Sequence, residues 1–515
     1  MKSKWFWFVC LLLSVYLSIF ALQKINLASA DLGRHIENGY MFFKGHDFGI
    51  TKWSLLHTNL YSSTNSDFPF VNHHYGSGII FYIVYILSGW NGLSIFYLLC
   101  LIFTLTLLIS AVRKNTDIVT LSLTSIFIIP LLADRVEIRP EGISYLFIAI
   151  FIFILYRFSK DEISPKWLWL IPFMEILWVN IHIYFILGLC LIGAFFVQFL
   201  IQRNLNGAKH LSKVFAVSAV ATIINPFGVK LALYPLNIFK NYGYMIVENQ
   251  SVPFLEKISF QNPSFLWFKI SVIISIISTA YILVRQRKSF EWALFFTSLS
   301  FGVMAFLAIR YIPLFAIASL LLLSVNFSII LKDWKMWNIP RIRYPFGSIF
   351  LIIFLIITLT HFKSRLNSNY FGIGLLPQEE SSAEFIKQNN IKGPFFNNYD
   401  IGGYFIFNFF PKEKPFVDNR PEAYPSNFFT DIYVPMQDDE TVWQSLSVKH
   451  NFNAIYFYRL DMTPWAQKFL IERVKDPLWS PIYVDNFTII LVRQNDQNKD
   501  LISKFALPQS IFSIK

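Results

Sequence analysis

A polytopic α-helical membrane protein with about eleven spans and a smaller C-terminal α/β domain is the fold class that the sequence predicts. Three observations predict it. The 515 residues are 55% hydrophobic and 15% charged, with 56 phenylalanines and a mean hydropathy of +0.47, the balance of a membrane-embedded chain. Apolar runs of about 17 to 25 residues, enough to cross a bilayer, recur along residues 1–362. From 363 to 515 charges become frequent and short β-like runs alternate with helix-like ones.

The first run, residues 5–22, follows Lys2 and Lys4. It reads as an uncleaved anchor, because it is long for a signal core and more spans follow. The later runs are 92–112, 117–133, 141–157, 167–181, 183–202, 213–226, 266–284, 291–309, 311–331 and 346–362. Residues 77–90, SGIIFYIVYILSGW, are too short for a full crossing and read as a helix lying in or dipping into the outer leaflet.

Charge bias supports that reading. If 77–90 does not cross, Lys2/Lys4, Arg113/Lys114, Arg157/Lys160/Lys166, Arg203/Lys209/Lys213, Arg285/Arg287/Lys288 and Lys332/Lys335/Arg341/Arg343 all share one side. The positive-inside rule makes that side cytoplasmic, with the N-terminus on it. If 77–90 crosses, every later loop inverts and the rule fails repeatedly. The net charge of +12 is then a topology signal, and no nucleic-acid partner is implied. Cys10, Cys100 and Cys190 lie inside apolar runs, without disulfide or metal spacing.

This topology leaves 23–91, 134–140, the turn at 180–182, 225–265, the turn at Arg310 and everything after 363 on the outer face of the cytoplasmic membrane. Those loops hold the residues that look chemical: Asp31, Arg34, His35, His73, His74, Asp134, Arg135, Glu137, Arg139, Glu141, Asn180, His182, Asn225, Glu248 and Arg310. Ionisable groups near a bilayer face a cavity or a partner. In LLADRVEIRPEGISYLF, Pro140 holds Arg139 extended and starts the next helix; a solvated loop with internal ion pairs explains the segment alone as well as a site does. Asn180 and His182 interrupt an apolar hairpin, where a single histidine is more often structural. Asn225 in INPFG reads by itself as a turn residue. Arg310 either snorkels to headgroups or holds a phosphate. Convergence on one face, rather than any one signal, points to a site.

Taken in order, DLGRHIENG, FVNHHYGSG, EIRPEGIS, WVNIHIYF, INPFG, IVENQS, AIRYIPLF and the tail segment NNYDIGGYFIF with KPFVDNRPEAY resemble the GT-C superfamily of polytopic glycosyltransferases. That superfamily includes protein O-mannosyltransferases and the aminoarabinose transferases of lipid A. Tyr75 stands where the pattern has tryptophan, and Glu248-Asn249-Gln250 where it usually has Glu-Trp. The resemblance implies transfer of a sugar from a polyprenyl-phosphate carrier to a glycan, lipid or protein acceptor at the outer face of the membrane. It makes Asp31 the acid near the reacting centre, taking a proton from the acceptor or positioning it. Arg139 and Arg310 would neutralise the leaving phosphate. Arg34, Arg135, Glu137, Asn180, Asn225 and Glu248 join them as substrate-binding candidates, and His35, His73, His74 and His182 as hydrogen-bonding ones. Some relatives bind a divalent metal; no ligand spacing in this chain demands one, and metal is left open.

The tail, 363–515, reads as a periplasmic or extracellular α/β domain. PFFNN, KPFVDN, NAIYFYRL, PIYVDN and FTIILVR are its strand-like runs; SSAEFIKQNN, DETVWQSLSVKH and PWAQKFLIERV its helix-like ones. NYDIGGYFIF lacks the Lys-Ser/Thr of a phosphate loop. In VDNRPEAY, a turn locked by ion pairs and acceptor recognition explain Asp418, Arg420 and Glu422 equally well. The alternative function is a non-catalytic transporter or flippase of lipid-linked sugars. That reading calls for polar, broken helices at mid-bilayer and inverted repeats, whereas the polar residues gather at helix ends.

Overall fold

The computed structural model describes residues 3–238, 242–333 and 339–512. Lys2 and Lys335 of the charge argument, and the Arg343 side chain, lie outside the described residues. The chain divides into two compact units. One comprises Met1–Gln23, Ser94–Pro235 and Ile246–Ile373; the other comprises Lys24–Leu93, Leu236–Met245 and Gly374–Lys515.

The first unit is helical. Among the described residues, seven helices are long and apolar enough to cross a membrane: Lys4–Ala21, Tyr75–Val112, Pro140–Ser159, Ile183–Ile201, Pro263–Arg285, Ile309–Asp333 and Pro340–His361. Shorter apolar helices, Ile118–Leu132 and Trp292–Leu307, cover two further apolar runs. Leu170–Val179 and Leu205–Ala221 cover the remaining two. The chain is a multi-pass membrane protein. Small hydroxylated residues join its helices: Thr124 and Ser324 hydroxyls meet at 2.6 Å between Ile118–Leu132 and Ile312–Asp333.

Local chemistry sets the helix ends. Asp117 Oδ1 accepts from the amides of Val119 and Thr120 and starts Ile118–Leu132. Arg139 is extended (φ −138°, ψ 162°) and Pro140 occupies the first helical position behind it. The helix expected over 213–226 begins earlier, at Leu205, because Asn204 Oδ1 caps it through the Gly207 amide at 2.9 Å. Within Tyr75–Val112 the helix breaks at Gly89 (φ 61°, ψ −159°), a backbone conformation that glycine adopts readily. The part of the run 77–90 that precedes Gly89 thus forms a helix distinct from the one that follows.

In the second unit the first loop and the tail share one fold. Strands β1 (Phe395–Asn397), β2 (Ala454–Tyr458), β3 (Trp479–Val484) and β4 (Thr488–Arg493) form a sheet in the order β1-β2-β4-β3. β1 and β2 are parallel, whereas β4 runs antiparallel to both β2 and β3. Every residue of β2 is buried, so both faces of the sheet are covered. Ile455 and Phe457 face a core with Trp443, Ala466 and Phe469 from the helices Glu440–Lys449 and Pro464–Lys475. Tyr456, on the opposite face, meets Tyr404, Phe405 and Phe409 of Gly402–Phe409.

KPFVDN is not a strand. Asn397 takes the place of a sheet partner there: its Oδ1 accepts from the Phe416 amide at 2.8 Å and its Nδ2 donates to the Val417 carbonyl at 2.7 Å. The first loop completes the tail's core. Phe70 belongs to the large cluster, and Met41, Leu55 and Tyr61 pack with Ile406 and Phe410. The paired glycines of NYDIGGYFIF serve close approach: a Cβ on Gly402 would lie 2.4 Å from Asp418 Cα, and one on Gly403 3.0 Å from the Ala30 carbonyl.

Candidate functional site

The first unit holds a buried charge cluster assembled from three sequence-distant segments. Extended Arg139 precedes Glu141, which lies in the first turn of Pro140–Ser159. Arg139 reaches Glu137 Oε2 at 2.8 Å and Glu248 Oε1 at 2.8 Å. Arg135 Nη2 lies 3.0 Å from Glu248 Oε2 and 3.5 Å from Glu141 Oε1. Arg310 Nη2 donates to Glu141 Oε1 at 2.8 Å, and its Nη1 to Asn249 Oδ1 at 3.0 Å. Its Nε is buried with no hydrogen-bond partner among the described residues. Burial alone would raise the Glu248 carboxyl; Arg135 and Arg139 outweigh it and hold the group below the ordinary carboxylate range. The result is three guanidinium groups held by Glu141 and Glu248, with the Arg310 Nε–H unused among the described residues.

His182 is buried beside a hydroxyl relay. Trp178 Nε1 donates to Ser144 Oγ at 2.9 Å, and Ser144 Oγ lies 2.8 Å from His182 Nδ1. An indole N–H only donates, so Ser144 Oγ accepts from Trp178, and the Ser144 hydroxyl shares a second hydrogen bond with His182 Nδ1. The His182 ring lies 4.3 Å from Tyr184, which lies 5.9 Å from Tyr311, the neighbour of Arg310. The two asparagines are engaged with backbone: Asn180 Nδ2 donates to the Ile176 and Ile224 carbonyls. Asn225 closes its own turn through Thr222, Phe227 and Gly228.

The second unit gathers the first-loop candidates. Asp31 stands at the N-cap of Leu32–Lys44, and its side chain makes no cap hydrogen bond. Arg34, 5% exposed, donates through Nε to Asn419 Oδ1 at 3.2 Å. The His35 ring lies 5.3 Å from His74, and His74 lies 3.8 Å from His73. His73 Nδ1 faces the Val71 carbonyl at 3.0 Å, so that nitrogen carries the proton. Burial raises the Tyr399 phenol well above its usual range, and the Asp31 and then Glu422 carboxylates add to the effect. Tyr399 thus lies within reach of both the Asp31 and Glu422 carboxylates, and Asn419 holds Arg34, one helical turn from Asp31. Sequence reading weighed Glu422 for acceptor recognition but named neither Tyr399 nor Asn419, which lie more than 360 residues from Asp31; Ser144, Trp178 and Asn249 fell inside the quoted motifs without being assigned to the site. Among the described residues no three His, Cys, Asp or Glu side chains are disposed to hold a metal. Each glutamate of the arginine cluster is committed to a guanidinium, so no chemical step is derived through a metal.

No protein-family model matches the chain, and no curated protein matches it in sequence. Solved structures do. The oligosaccharyltransferase AglB of Archaeoglobus fulgidus, in complex with an inhibitory peptide and a dolichol-phosphate, is 12% identical, with a TM-score of 0.61 over 96% of this chain and 75% of that one. A second structure of an oligosaccharyltransferase from that organism, with zinc and sulfate, is 13% identical, with a TM-score of 0.55 over 94% and 73%. ArnT of Cupriavidus metallidurans, bound to undecaprenyl phosphate, is 12% identical, with a TM-score of 0.53 over 99% and 100%. At such identities the likeness is one of fold: over nearly its whole length, this chain is built like the GT-C membrane glycosyltransferases.

Proposed function

We propose that the chain is a glycosyltransferase moving a sugar from a polyprenyl-phosphate-linked donor to an envelope glycan, lipid or protein at the outer face of the cytoplasmic membrane. The observation that carries this reading is the buried set of three guanidinium groups, with the Arg310 Nε–H unused. The set stands in a fold shared with structures holding dolichol-phosphate and undecaprenyl phosphate.

As the acceptor attacks the anomeric carbon, the carbon–oxygen bond to the donor breaks and negative charge grows on the departing lipid phosphate. Fixed guanidinium donors stabilise that charge without reorganising, because Glu141 and Glu248 already hold them in place. Asp31 takes the acceptor's proton or orients it for attack. His182, held by Ser144 through Nδ1, offers its other ring nitrogen to sugar or phosphate oxygens.

The test is the mass profile of envelope glycans and lipids in cells lacking the gene, complemented with wild type or with Asp31→Asn. Wild type should restore a sugar-sized mass that the deletion loses, and Asp31→Asn, inserted at equal level, should not. Restoration by Asp31→Asn removes that residue from the reaction. An unchanged envelope on deletion, together with no turnover of polyprenyl-phosphate hexose by membranes holding the wild-type chain, overturns the transferase reading.

A further inference from the structure

Where Ser3–Ala21 ends, a cavity of about 350 Å³ lies against the turn Lys363–Leu366. Gln23, Ser364, Arg365 and Tyr370 supply its polar wall, and Phe20 and Phe371 part of its apolar one. It sits at the ends of two candidate membrane spans, Lys4–Ala21 and Pro340–His361. That is the level at which acyl chains give way to headgroups.

Arg365 is the informative group. Arg135, Arg139 and Arg310 each have a glutamate oxygen between 2.8 and 3.0 Å away, and Arg420 has an aspartate at 2.7 Å. Arg365 forms no such pair among the described residues; its Nη1 donates to the Ala133 carbonyl at 2.9 Å. Burial pushes its pKa down, and Asp134 opposes this only in part. Arg365 is half-buried, and a cation partly withdrawn from water beside a neutral carbonyl is relieved by an anion in the adjoining cavity. Nε and Nη2 remain, a fork that matches two phosphate oxygens. Exposed Lys363 adds positive charge next to the cavity.

We propose that this cavity binds the headgroup of an anionic glycerophospholipid of the surrounding bilayer. Arg365 holds the phosphate, Gln23, Ser364 and Tyr370 meet headgroup oxygens, and Phe20 and Phe371 meet the glycerol and first acyl carbons. The site is independent of the sugar-transfer reading. Its occupant is a resident lipid that links the end of the first span to the turn after the last one.

Native mass spectrometry of the delipidated full-length chain in detergent, titrated with phosphatidylglycerol or phosphatidylcholine, tests this. One phosphatidylglycerol per chain should be retained at about tenfold lower lipid concentration than phosphatidylcholine, the worth of one charge-assisted contact. Arg365→Gln should bring phosphatidylglycerol to the level of phosphatidylcholine. Ser364→Phe should do the same by filling the cavity while leaving the bond to Ala133 intact, so the proposal stays testable if Arg365→Gln misfolds. Equal retention by wild type and Ser364→Phe overturns the site. Inorganic phosphate that displaces phosphatidylglycerol from the wild type at millimolar concentration overturns the lipid assignment in favour of free phosphate.

Discussion

At the residue scale, the tail's best polar constellation is a lock. Asp418, 0% exposed, accepts from Arg420 Nε and Nη2, both at 2.7 Å, and from the Tyr424 hydroxyl at 2.9 Å. Arg420, 3% exposed, also donates to Asn59 Oδ1 at 2.6 Å and lies over the rings of Tyr61 and Phe70. Asp418→Ala should cost about 3–5 kcal/mol by leaving a buried guanidinium unpaired. Asp418→Ala combined with Arg420→Met should cost less, as denaturant unfolding in detergent would record; equal losses would mean that the charge is not the issue. Glu37 behaves differently, since burial pushes its carboxyl up to about 8. Glu379 is also pushed up to about 8, despite the Ala28 amide on its Oε2 at 2.9 Å. Between about 4.5, the ordinary value, and about 8, the folded chain keeps protons that the unfolded chain releases. Stability should therefore fall as pH rises through that window and level off above it. Glu37→Gln should flatten the slope of unfolding temperature against pH, and an unaltered slope would count against this assignment.

At the scale of elements, glycines decide where the first-loop helices cross. A Cβ on Gly39 would lie 2.3 Å from the Gly78 carbonyl, and one on Gly78 2.8 Å from the His35 carbonyl. The backbone of Leu32–Lys44 thus lies directly against the start of Tyr75–Val112, which brings His35 beside His74. Gly39→Ala should lower stability by about 1–3 kcal/mol through overpacking, whereas Gly33→Ala, whose Cβ would meet the Gly403 carbonyl oxygen and Phe407 Cβ at a tight 3.0 Å against 2.3 Å at Gly39, should be milder. Thermal unfolding of the two variants ranks them; the reverse order would refute the close crossing. Most elements were legible in the sequence because period and length are local properties: four of the five strand-like runs are strands, and the three helix-like runs of the tail are helices. KPFVDN failed because its backbone bonds go to the Asn397 side chain, which no periodicity announces.

At the scale of the whole molecule, the tail is not self-sufficient. Ile25 forms a parallel bridge with Leu375, the Ala28 amide binds Glu379, and Phe70 fills the tail's main core. A fragment of residues 374–515 alone would expose that core and leave Arg420 without Asn59. It should show no cooperative melt by circular dichroism, whereas the full chain should retain its sheet. A sharp transition in the fragment would establish the tail as an autonomous domain.

The sequence by itself determined that the chain is membrane-embedded, where most spans lie, and that an α/β segment follows them. Those properties depend on apolar length and periodicity within short windows. It also singled out Arg135, Glu137, Arg139, Glu248 and Arg310 as polar groups in an apolar chain. Only the tertiary structure decided which groups meet: Arg310 with Glu141 and Asn249, Arg34 with Asn419, Arg420 with Asn59. The reason is physical. A side chain's partner is set by where packing brings distant segments, and burial forces each polar group to find one.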